Sequence, residues 1–106
     1  MNIPKHYTVG GVSVDVELVD RLGGGKLGEC LLASGKVKIA ENFMNDNEQY
    51  QQSESNKENT FYHELTHSIL DTMAEFGLSG NEKFVSTFSS LLTEAMRSAG
   101  VTYNNQ

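Results

Sequence analysis

Apolar and polar residues alternate from Val12 to Leu18. Val12, Val14, Val16 and Leu18 fall on one side, and Ser13, Asp15 and Glu17 on the other. Period two with β-branched residues predicts a half-buried strand. Gly10-Gly11 predicts a hairpin turn between it and a short strand over residues 7–9. Val37 and Ile39 alternate with Lys36, Lys38 and Ala40, and Ser34-Gly35 predicts a second hairpin joining residues 29–34 to Lys36–Ala40. The lysines suggest a solvated face or a protected edge, and Lys36–Ala40 is the candidate edge strand. The glycine-rich stretch between, Arg21 to Gly28, lacks the spacing of a phosphate-binding loop and precedes a strand, so a flexible turn is expected.

After residue 40 the pattern changes. Residues 41–59 are rich in Asn, Gln, Ser and Glu and predict a long polar connection, partly helical at most. Ser55 to Glu58 is a candidate capping box opening a helix to about residue 76, with Phe61, Leu65, Ile69, Met73 and Phe76 on one stripe. Leu70 and Ala74 lie opposite, which predicts a central helix covered on both sides. Gly77 and Gly80 stop it, Ser79 to Glu82 offers a second capping box, and Phe84, Val85, Phe88, Leu91, Leu92, Ala95 and Met96 predict a second amphipathic helix over residues 80–98. Residues 101–106 are expected to fray. The whole predicts one α+β domain over residues 1–106. A small, mostly antiparallel sheet of three to four strands (residues 7–40) packs on two long helices (residues 55–76 and 80–98).

Composition narrows the function. The 106 residues carry a net charge of −6, which disfavours a nucleic-acid partner. The apolar runs are far too short for a membrane span. The lone Cys30 excludes an intrachain disulfide and reads as a small buried hydrophobe. With no apolar leader at the N-terminus, a soluble cytoplasmic monomer or small homo-oligomer is expected.

The chemistry centres on His63-Glu64-Leu65-Thr66-His67, the pattern H-E-x-x-H. On a helix, His63 and His67 stand one turn apart on one face, where two imidazoles can bind one Zn²⁺. Glu64 can then act as general base towards a water activated there. A catalytic zinc usually has three protein ligands. Leu70 and Met73 occupy the positions where an extended motif would carry Gly and a third His, which leaves a carboxylate. Asp71 and Glu75 are poorly placed along the same helix, and Asp71 suits a supporting role. Glu94 would come opposite His63 in a simple antiparallel helix hairpin. Glu82 would need the second helix to cross at an angle, and its side chain could instead close the cap with Ser79.

The run from His63 to His67 followed by Asp71 resembles the zinc helix of thermolysin-like gluzincins, and Asn81-Glu82 is similar to the Asn-Glu pair that carries their third ligand. Ser86 stands where those enzymes have an aspartate orienting a zinc histidine. The short gap and the run from Glu82 to Phe88 resemble the minimal ImmA/IrrE-like metallopeptidases found in phages and mobile elements, where a glutamate six residues before a phenylalanine is the third ligand. The resemblance spans residues 60–92. It implies a minimal zincin-like fold, one Zn²⁺ on His63, His67 and Glu82, and hydrolysis of a peptide bond in a protein or peptide substrate added along a sheet edge. The oxyanion stabiliser stays open among His6, Tyr7, Tyr62, Arg97 and Tyr103. A non-catalytic regulatory or binding protein with a structural zinc is the alternative.

Overall fold

The computed structural model describes residues 2–104. Its α+β architecture is a four-stranded sheet, a separate two-stranded hairpin and three helices, two of them long. The sheet contains β1 (His6–Val9), β2 (Val12–Val19), β3 (Gly28–Leu31) and β4 (Lys36–Ala40), in the order β1-β2-β4-β3. The β1/β2 and β3/β4 pairs are antiparallel and β2/β4 is parallel. Gly10 and Gly11 make the first turn with φ of 55° and 80°, a left-handed pair that glycine adopts without steric cost. The stretch before β3 forms a single 3-10 turn, Gly23–Gly25.

Lys36–Ala40 is not an edge. It lies between β2 and β3, and its Val37, Ile39 and Ala40 are fully buried. Of the two readings of its lysines, the solvated face is the one observed, on an internal strand; Lys36 reaches across to Glu17 at 2.6 Å. The free edge on that side belongs to β3.

The polar connection is also structured. Asn42–Asn45 (β5) and Glu48–Gln51 (β6) pair as an antiparallel hairpin, turning at Asp46 and Asn47 with φ of 51° and 65°. Phe43 and Tyr50 stack across it at 5.7 Å. The first helix, α1 (Glu54–Thr72), is capped by Ser53, whose side chain accepts from the Asn56 N–H, rather than by Ser55. It ends before the expected stop. Phe61 is buried, but Ile69, Met73 and Phe76 are exposed, so the stripe is a core stripe only in its first half.

A four-residue turn of helix, α2 (Phe76–Ser79), leads to α3 (Glu82–Ser98). Asn81, not Ser79, caps α3, accepting from the Phe84 N–H at 3.1 Å. Tyr62 and Phe61 of α1 join Ile3, Val14, Val37 and Ile39 in the core between helix and sheet. On its other side α1 meets α3 through Val85, Ser89 and Thr93. The central position expected for α1 is therefore observed. The C-terminal segment is tied down as far as Tyr103, which packs on Phe61 and hydrogen-bonds Tyr62; residues 105 and 106 lie outside the described residues.

Candidate metal centre

His63 and His67 stand on the side of α1 that faces the start of α3. Their rings are 5.0 Å apart and steeply inclined. Glu82 opens α3. Because Asn81 caps that helix, the Glu82 side chain is free to lean over the histidines. Its two carboxylate oxygens lie 3.5 Å from His63 Nε2 and 3.6 Å from His67 Nε2. These separations are too long for good hydrogen bonds. They are close to the ~3.3 Å expected between two donors about 2.0–2.1 Å from a shared tetrahedral ion. One ligand atom from each residue lies within 4.8 Å of the others, and this His63, His67 and Glu82 group could hold a metal ion.

The protonation states suit ligation. Burial, then the neighbouring His67, pushes the His63 pKa below its usual value, favouring the neutral imidazole that a metal needs. His67 Nδ1 meets the Ser79 hydroxyl at 3.0 Å, which leaves Nε2 turned to Glu82. Ser79 is thus the supporting partner, and no hydrogen bond joins Asp71 to either histidine among the described residues. Glu82 itself is 69% exposed, so the group stays open to solvent on that side.

Glu64 is buried on the sheet side of the same cavity, which has a volume of about 500 Å³. Burial pushes its pKa up to about 7, Glu82 and Glu29 add to the rise, and Lys26 opposes it. Gly28 of β3 passes against it, and Lys26, Asn56, Asn59, Thr60 and Ser86 complete the walls. Gly28 also presents backbone to this cavity. The Ala40 N–H donates to the Leu27 carbonyl at 2.9 Å, so by antiparallel alternation the Gly28 N–H and C=O point to the free edge of β3.

Glu94 does not join the group. Thr93 meets Asn59 at 3.2 Å and Arg97 meets Glu58 at 2.9 Å, so α3 passes α1 one turn away from the register that would set Glu94 against His63. None of the five side chains considered for an oxyanion lines this cavity. Tyr7 donates to Ser68 at 3.0 Å, Tyr62 pairs with Tyr103, Arg97 is held by Glu58, and His6 begins β1. Lys26 is the cation at the cavity wall. Its glycine-rich surroundings in the sequence carry no signal of what it borders. Cys30 faces the core side of the sheet, where burial pushes its thiol up to about 11, an unreactive state.

No helix is long and apolar enough to cross a membrane among the described residues. Comparison with protein-family models, curated proteins and solved structures finds no match in any of the three.

Proposed function

We propose that the chain is a zinc-dependent metallopeptidase of the minimal gluzincin kind. The observation that carries this reading is the convergence of His63, His67 and Glu82, with the buried Glu64 carboxyl in the same cavity. Two imidazoles and one carboxylate form a donor set suited to Zn²⁺. A zinc ion there supplies Lewis acidity and lowers the pKa of water towards about 7.

Glu64, with its proton affinity near neutrality, takes a proton from the attacking water and delivers it to the leaving amine. The substrate backbone pairs with the outward N–H and C=O of Gly28 on the β3 edge, which holds the scissile bond beside Glu64. Lys26 is the donor available to the developing oxyanion.

The test measures bound metal and peptide hydrolysis together for wild type, Glu64→Gln and His67→Ala. Wild type should hold one equivalent of zinc and cleave a peptide library. Glu64→Gln should keep zinc and fold while losing cleavage, and His67→Ala should lose zinc. A zinc-free wild type after metal-replete expression would sink the proposal. Zinc without cleavage of any library member would favour the non-catalytic scaffold.

A further inference from the structure

α3 packs Leu92 and Met96 partly against the core but turns both of its phenylalanines away from it. The residues it buries against α1 are small: Val85, Ser89 and Thr93. Phe84, Phe88, Leu91 and Ala95 form a separate stripe facing out, with Phe88 46% and Leu91 63% exposed. Their spacing of four, three and four residues is that of a coiled-coil seam. The Phe84 and Phe88 rings stack at 5.8 Å, so the stripe presents a preformed aromatic surface. Contiguous exposed apolar surface of this kind usually marks an interface.

The row beside the stripe identifies the occupant. Lys83, Thr87, Ser90 and Glu94 repeat the same four-three-four spacing along one flank. Lys83 and Glu94 are exposed, and neither has an ion pair among the described residues. A two-fold axis requires a surface complementary to itself. When Phe88 is set against Phe88 of a second antiparallel copy, Phe84 meets Leu91 and Lys83 meets Glu94, each twice.

We propose that two copies of this chain form a symmetric dimer through α3, packed antiparallel about Phe88, with reciprocal Lys83–Glu94 ion pairs at the flank. Glu82 and Ser86 lie on the opposite side of the helix, so the dimer leaves the histidine cavity open.

Sedimentation equilibrium of the full chain across a concentration series tests this. Wild type should move from monomer to dimer with rising concentration, and Phe88→Asp should stay monomeric. Lys83→Glu and Glu94→Lys should each weaken association by about two- to thirtyfold, the range for two exposed ion pairs. The double variant Lys83→Glu with Glu94→Lys should restore it, because the pair is only reversed. The double variant keeps the test sound if Phe88→Asp unfolds. A wild type that stays monomeric throughout, which would leave the stripe to a different partner, overturns the proposal. So does a dimer that neither charge variant weakens.

Discussion

Gly28 leaves room for Glu64. A Cβ at Gly28 would stand 3.0 Å from Glu64 Oε2 and 2.5 Å from the Thr60 methyl. The edge strand can therefore run directly against the buried carboxyl only because residue 28 has no side chain. Gly28→Ala is expected to force Thr60 and Glu64 aside, costing about 1–3 kcal/mol in overpacking. Zinc affinity should change little, since the atoms nearest an added Cβ belong to Thr60 and Glu64 and not to the proposed donors His63, His67 and Glu82. If Glu64 is the general base, catalytic efficiency should fall by about 100-fold, roughly what a misplaced catalytic group costs. Zinc titration, thermal melts and kcat/KM on one preparation separate these effects.

The buried Glu64 should also make the metal-free protein sensitive to pH. Its carboxyl sits near an ordinary 4.5 when unfolded and is raised to about 7 when folded. Between those values the folded chain binds more protons than the unfolded one, so stability is lost as pH rises through the window. The full cost, reached above pH ~7, is about 3 kcal/mol. His63 is shifted downwards and contributes an opposite slope below its ordinary value. Comparing chelated wild type with chelated Glu64→Gln cancels that contribution. The variant should be the more stable protein at pH 8, and the two should converge near pH 4. Parallel denaturation curves at all pH values would contradict the assignment.

The sequence reports some of this arrangement and hides the rest for physical reasons. The alternation in β2 and the Gly10-Gly11 turn are local signals, and both are observed. The histidine spacing is also local, because one helix carries both rings. Glu82 was readable only by resemblance: helical phase alone admitted Glu94, and the decision rests on how α3 crosses α1. The β5/β6 hairpin gave no pattern, since its strands are polar and its left-handed turn uses Asp46 and Asn47 in place of glycine. Lys36–Ala40 looked like an edge because its lysines report a solvated face, whereas edge position depends on pairing that a single strand cannot reveal. The lower half of the α1 stripe pointed to a core, but there the helix turns Ser68 and Thr72 to β1 and its turn, which leaves Ile69 and Met73 exposed.

Ser79 holds His67 from behind. Its hydroxyl at Nδ1 fixes which ring nitrogen faces Glu82, and removing it frees the ring to rotate. Ser79→Ala should lower zinc affinity by about 10–100-fold, as is usual for partners of metal-bound histidines. Asp71→Asn should leave that affinity within about twofold, or about 0.4 kcal/mol, comparable to the ~0.5 kcal/mol scatter typical of uninvolved sites. Competition with a chromophoric chelator measures both. Equal losses in the two variants would return the supporting role to Asp71.

Gln52 joins the helix to the sheet behind the cavity. It is almost completely buried, and its carboxamide is saturated on both ends. Oε1 accepts from Asn56 at 2.7 Å and from Thr60 at 2.6 Å, while Nε2 donates to the carbonyls of Ala40 and Leu27. The carbonyl of Leu27 is the last before Gly28, so this one side chain sets how closely β3 approaches α1. Gln52→Ala removes these bonds and leaves the buried Thr60 hydroxyl and Ala40 carbonyl without this partner, at roughly 1–3 kcal/mol for each that water cannot reach, while the Leu27 carbonyl keeps the Ala40 N–H. A net loss of about 3 kcal/mol is expected, and for a domain of this size that lowers Tm by roughly 12–24 °C. Gln52→Glu keeps the shape and the acceptor but removes the donor. It should recover part of the loss at low pH, where the carboxyl regains a proton to donate to Ala40, and none at pH 8. A melt of Gln52→Glu that is independent of pH would show that packing volume alone, and not this donor, holds β3 against α1.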